Sequence, residues 1–123
     1  MGQALAGYIV LVVENEYFIA SDTAESLARA GATILGPCAT VAAAVRLIEE
    51  TSPSHAVLDL NLDGSGARFE LARQLQSRKV KSVIVSGYDK GTLPNDLAGI
   101  PFLMKPVSYG QLVEVFAALP AAH

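Results

Sequence analysis

Apolar and polar positions along the chain fall into two alternating kinds of block. Tyr8 to Val13 is an unbroken β-branched and aliphatic run, the pattern of a strand covered on both faces. Ala20, Ala24, Leu27 and Ala28 then recur at helical spacing, Glu25 and Arg29 form an i,i+4 pair outside that stripe, and Gly31 supplies a stop. Thr33 to Leu35 reads as a short second strand ending before Gly36-Pro37. Thr40 can cap a helix that turns Val41, Ala44, Val45 and Ile48 to one side, and Pro53 follows its end. His55 to Leu60 is a third buried strand with a carboxylate, Asp59, near its end. Ala67, Leu71, Ala72 and Leu75 mark a third helix, and Ser82 to Val85 a fourth strand. The next segment, Asp89 to Ala98, stands where a helix is due, but Gly91 and Pro94 interrupt it, so a loop or single turn is expected. Ile100 to Met104 is the fifth strand. Ser108 with Gln111 then makes a capping box for a last helix with Leu112, Val115, Phe116 and Leu119 inward.

Strands alternating with helices imply one doubly wound, five-stranded parallel sheet, because parallel neighbours need a crossover and the crossover is right-handed. Such a sheet binds its ligands beyond the carboxyl ends of the strands, where the strand order reverses. Four predicted strand ends carry polar residues: Glu14 and Asn15 after the first, Asp59 near the end of the third, Ser86 after the fourth and Lys105 after the fifth.

Composition narrows the class. With 123 residues, 51% of them hydrophobic and 17% charged, the chain is one globular domain with a full core rather than a disordered segment. No apolar run approaches the roughly 18 residues of a membrane helix. No cation precedes Arg29, so a signal or transit peptide is not expected and a cytoplasmic location is. One cysteine, Cys38, excludes an internal disulfide, and His55 and His123 do not build a metal site with it. A net charge of −3 speaks against nucleic acid as a partner.

Glu14 and Asp59 brought into one cleft would repel each other and call for a cation, and a hard, oxygen-lined site suits Mg²⁺. Lys105 adds a mobile positive charge and Ser86 a hydroxyl. A carboxylate nucleophile, a metal, an ammonium and a hydroxyl around one small volume describe a phosphoryl pocket. Taken singly, each residue has a plainer reading. Asp59 could be a loop or capping acid, Glu14-Asn15-Glu16 the solvated start of a helix, Lys105-Pro106 a turn, Phe102 a core residue, and His55 a strand-edge residue without a ligand role. Their convergence carries the functional reading.

The segments Val12-Val13-Glu14-Asn15-Glu16, Val57-Leu58-Asp59-Leu60-Asn61-Leu62, Val83-Ile84-Val85-Ser86-Gly87-Tyr88 and Phe102-Leu103-Met104-Lys105-Pro106 together resemble the receiver domain of two-component response regulators. The resemblance spans nearly the whole chain, with a core of about residues 7–119 and no output domain. It implies a flavodoxin-like fold of strand order 2-1-3-4-5. By resemblance Asp59 is the phospho-acceptor, Glu14 a metal-site acid, Asn61 the donor of a backbone carbonyl to the metal, Ser86 the switch hydroxyl, Lys105 the conserved lysine and Phe102 the aromatic switch residue. The Lys105-Pro106 bond becomes a candidate for the cis isomer. The implied protein is a phospho-acceptor signalling domain rather than an enzyme. Its partners would be a sensor histidine kinase or phosphotransfer protein and an unknown downstream protein, with neither nucleic acid nor membrane, and it would be a monomer or weak dimer.

Two departures from the family pattern matter. Where a second acid usually follows the first strand, this chain has Asn15, which offers an amide oxygen but no charge, so weaker Mg²⁺ binding and slowed phosphorylation are expected, with Glu16 a substitute to consider. The stretch Ser86 to Pro94, with its shortened or absent fourth helix, is similar to the FAT GUY subgroup of receivers. A second reading is a phosphorylation-independent pseudo-receiver, an interaction module whose metal site Asn15 disables. A haloacid dehalogenase phosphatase would need an acid where Asn61 stands, and a flavin binder would need a hydroxyl-rich loop where Glu14-Asn15-Glu16 stands.

Overall fold

The computed structural model describes residues 3–60, 67–87 and 93–120. The expected alternation is realised as β1 (Ile9–Val13), α1 (Tyr17–Arg29), β2 (Thr33–Cys38), α2 (Val41–Glu50), β3 (His55–Asp59), α3 (Ala67–Ser77), β4 (Lys81–Ser86), a 3-10 turn (Asn95–Leu97), β5 (Phe102–Met104) and α4 (Tyr109–Ala117). All four strand pairings are parallel and the order is β2-β1-β3-β4-β5. This is the doubly wound, flavodoxin-like receiver fold.

The two-residue period of the strands sorts the core into two layers. Val10, Val12, Val57, Val83 and Val85 meet Leu27 of α1 with Leu112 and Phe116 of α4, while Leu11, Val13, Leu58 and Ile84 meet Ile48 of α2 and Leu71 and Leu75 of α3. The 3-10 turn stands in place of a helix between β4 and β5 and buries Leu97 in the second layer. Pro94 just before it and the shortness of the turn agree with the interruption expected there, while residues 88–92, Gly91 among them, lie outside the described residues.

Several boundaries differ from expectation. β2 runs on through Gly36-Pro37 to Cys38, because an edge strand tolerates proline and the pairing with β1 shifts register between Leu11 and Val13. Gly36 has φ +92, and a Cβ there would stand 2.7 Å from the Cys38 nitrogen and 3.0 Å from the Val12 carbonyl oxygen, so only glycine lets β2 pass so close to β1. β5 begins at Phe102 instead of Ile100, and β4 extends by one residue at each end. On α1 the buried positions are Ala20, Thr23 and Leu27, whereas Ala28 is exposed, since the 3.6-residue period from Ala20 passes through Thr23. Leu5, upstream of the expected core, is fully buried.

His55 is not a strand-edge residue. It is fully buried, its ring stacks on Tyr8 at 4.0 Å, and Phe116 meets its edge at 5.7 Å. Its Nε2–H donates to the Leu119 carbonyl at 2.5 Å, and the Ser54 hydroxyl lies 2.7 Å from Nδ1. The Tyr8 hydroxyl donates to the Phe116 carbonyl at 3.1 Å. These contacts fasten the carboxyl end of α4 to the amino ends of β1 and β3, opposite the functional site.

Candidate functional site

The strand order reverses between β1 and β3, and the residues that end those strands line the crevice there. Val13 pairs with Leu58, so the next residues along, Glu14 and Asp59, leave the sheet side by side. Both are buried, at 6% and 1% exposure, which is rare for carboxylates without partners. Asp59 shares the strand face of Val57, looking toward α1 and α4.

Lys105 reaches them from β5. Its backbone N–H donates to the Ser86 carbonyl at 2.8 Å, extending the β4–β5 ladder by one bond. The Lys105-Pro106 peptide is cis, as is Gly36-Pro37. The Lys105 ammonium stands 3.3 Å from Asp59 Oδ2, 3.3 Å from Glu14 Oε1 and 4.0 Å from Glu16 Oε1. Carboxylates from two strand ends thus converge on one cation from a third.

The electrostatics follow from burial. Desolvation pushes Glu14 up to about 7, helped by its hydrogen bond and charge repulsion with Asp59 and opposed by the Glu16 backbone N–H, which donates to Glu14 Oε2 at 3.1 Å, and by Lys105. Near neutral pH Glu14 is therefore close to half-protonated. Burial pulls Lys105 down, but the charges of Asp59 and Glu14 outweigh it and raise it above the ordinary lysine value.

The other expected residues fall around this cluster. Ser86 is fully buried at the end of β4. Phe102 is half-buried and packs against the α2–α3 layer. Asn15 is exposed and, with Tyr17 and Pro37, lines a groove of about 390 Å³. Asn61, Tyr88 and the Gly64-Ser65-Gly66 run lie outside the described residues. No group of three His, Cys, Asp or Glu among the described residues is placed to hold a metal. The oxygen donors present, Glu14 and Asp59, are of the type a hard divalent cation takes, with the amide of Asn15 adjoining in sequence.

Sequence reasoning missed a cavity of about 380 Å³ between α1, α4 and the sheet, with Glu14, Asp59 and Lys105 in its lining. Thr23, on its wall, was within reach of the helical period.

No family model and no curated protein matches the sequence. Among solved structures, the chain is similar to SdrG from Sphingomonas melonis Fr1, at 29% identity and TM-score 0.77, covering 94% of this chain and 97% of that one. It is also similar to a CheY-like response regulator receiver domain protein from Methanospirillum hungatei JF-1, at 24% identity and TM-score 0.77 over 90% of this chain and 91% of the other. A response regulator from Burkholderia pseudomallei, whose structure holds a phosphorylated aspartic acid, a calcium ion and citrate, matches at 19% identity and TM-score 0.75 over 92% of this chain and 66% of that one. The Methanospirillum and Burkholderia proteins are response regulators, and the sheet order of this chain is that of the fold they share. The fold is therefore that of a CheY-like response-regulator receiver domain.

Proposed function

We propose that the chain works as a receiver in which Asp59 accepts a phosphoryl group from the phosphohistidine of a sensor kinase or phosphotransfer protein. The observation that carries this reading is the 3.3 Å approach of Lys105 to both Asp59 and Glu14 at the point of strand reversal. An Asp59 carboxylate oxygen attacks phosphorus, the P–N bond breaks, and the imidazole nitrogen leaves with its electron pair. Lys105 then faces the new anionic oxygens and the Ser86 hydroxyl donates a hydrogen bond to one of them. Glu14, Asn15, Asp59 and the Asn61 backbone carbonyl would hold Mg²⁺, which when bound offsets charge on the transferring group. With Asn15 in the set, we expect weaker Mg²⁺ binding than in the Asn15→Asp variant and slowed phosphorylation. Ser86 moving inward would draw Phe102 after it and remodel the surface of β4, β5 and α4, which a downstream protein reads. A cytoplasmic location, a monomer or weak dimer, and membership of the FAT GUY subgroup complete the proposal. The subgroup is supported by the 3-10 turn between β4 and β5 and by Gly87 after Ser86. No described helix is long and apolar enough to cross a membrane.

Intact-mass measurement after incubation with acetyl phosphate and Mg²⁺ tests the reading: wild type gains one phosphoryl group and Asp59→Asn does not. Equal labelling of the variant overturns Asp59 as acceptor. A second reading, the phosphorylation-independent interaction module, draws on Asn15, the neutral residue at a charged family position. It predicts no labelling with or without Mg²⁺.

A further inference from the structure

The short connection between β4 and β5 leaves a groove at the amino ends of those strands, the end of the sheet away from Asp59 and Lys105. The 3-10 turn there buries Leu97 alone, and Gly99 after it adds no side chain: a Cβ on Gly99 would meet nothing within 4 Å. The groove has a volume of about 480 Å³ and apolar walls of Val80, Ile100 and Leu119. That volume falls in the range of small-molecule sites, roughly 300–1,000 Å³.

The charge along this groove is of one sign. Lys79 and Lys81, either side of buried Val80, both line it, and no carboxylate side chain does. The sequence carries no Asp or Glu from Leu71 to Ser86 or from Leu97 to Val113, so the segments that build the groove bring no counter-charge. Among the described residues neither lysine forms an ion pair, whereas Arg73 nearby in sequence holds Glu70 and Asp96. Lys79 also keeps its side chain at φ 62, where glycine is favoured, and backbone strain of that kind gathers at ligand sites. Ser82, in the same lining, is buried and its hydroxyl has no hydrogen-bond partner, a rare state for a buried polar group. Two unpaired ammoniums and an unpaired hydroxyl beside apolar walls match a ligand with an apolar body and an anionic, hydrogen-bond-accepting head.

We propose that this groove binds a small organic carboxylate, its anionic head held by Lys79, Lys81 and the Ser82 hydroxyl and its apolar body lying over Val80, Ile100 and Leu119. Such a ligand gives the domain a chemical input at the opposite end of the sheet from the phosphoryl site. The proposal does not rest on Asp59 accepting a phosphoryl group, so the two stand or fall apart.

Sodium phenylacetate is the probe, titrated into the full chain while the methyl signals of Val80, Ile100 and Leu119 are followed by NMR. The expected result is saturable shifts at those methyls, with 2-phenylethanol, which lacks the charge, and acetate, which lacks the apolar body, each binding about tenfold or more weakly. Affinity should fall as sodium chloride is raised, because both lysines are exposed to screening. Lys79→Gly, which relieves the left-handed backbone and so keeps the fold, and Lys81→Gln should each weaken phenylacetate about threefold, the size of a solvent-exposed charge pair. Ser82→Ala should weaken it too while melting no lower than wild type, since it removes a hydroxyl that has no partner in the free protein. Shifts at methyls elsewhere in the molecule, equal binding of the alcohol or of acetate, or unchanged phenylacetate affinity in the folded Lys79→Gly variant overturns the proposal. Phenylacetate binding in a protein that acetyl phosphate fails to label would sink the phospho-acceptor reading and leave this one standing.

Discussion

Two buried titratable residues at opposite ends of the sheet push stability in opposite directions with pH. Glu14 has an ordinary value of 4.5 and is raised to about 7 in the fold, so between those values the native state keeps a proton that the unfolded chain has released. Its contribution is fully present at low pH and is lost as pH climbs through 7. Urea titrations should therefore show the stability difference between Glu14→Gln and wild type moving in the variant's favour from about pH 5 to about pH 8. A difference that does not change with pH would mean Glu14 is not held up by burial. His55 behaves the other way. Burial lowers it below its ordinary 6.5, the hydrogen bond to Leu119 opposes that, and Lys81 adds to it, so stability drains as pH falls below about 6.5. His55→Gln should lack that acid-side decline. The acids and Lys105 were legible in the sequence because a polar residue at the end of a buried strand has few plain explanations once several converge. The partners of His55 were not, since the Leu119 carbonyl lies 64 residues away and a carbonyl leaves no mark in a sequence.

At the scale of elements, helix ends carry the informative local chemistry. α4 starts where Ser108 Oγ accepts from the Gln111 N–H at 3.3 Å, and α2 where Thr40 Oγ1 accepts from Ala43 N–H at 3.1 Å, both caps expected from sequence. Replacing Ser108 by alanine should cost about 1 kcal/mol in chemical denaturation. The chain leaves α3 through Lys79 at φ 62, a left-handed residue without glycine's freedom, and Val80 N–H closes back on the Leu75 carbonyl at 2.9 Å. Left-handed backbone costs a non-glycine residue about 1–2 kcal/mol, while glycine loses about 0.5–1 kcal/mol of chain freedom, so Lys79→Gly should stabilise by roughly 0.5 kcal/mol. Nothing in the sequence announced that turn, because lysine is not a left-handed signal. The 3-10 turn is held to α3 by Arg73, whose guanidinium reaches Asp96 at 2.7 and 3.3 Å and Glu70 at 2.5 Å. These groups are exposed enough for salt to screen them, so Arg73→Gln should speed amide exchange at Leu97 and Ala98 while leaving the melting temperature nearly unchanged.

The whole molecule was the most readable scale. Buried strands and one-sided helices dictated a doubly wound sheet, and the polar strand ends dictated where its site would be. β2 was misjudged because Gly36-Pro37 reads as a stop in isolation, whereas the open edge of the sheet lets the strand continue past it. The cavity was unreadable for a related reason: Thr23 looks like an ordinary core position until the neighbouring helix shows how much space it leaves. Phe116 has no such slack. It is fully buried beside His55, and Phe116→Ala should destabilise by about 3–5 kcal/mol, far more than any change at the cap residues. The knot of Tyr8, His55 and Leu119 also makes α4 a lever with its fulcrum at the tail. Any tilt of that helix sweeps its leading turn, the part that begins a few residues after Lys105, across the floor of the sheet while its last turn stays put.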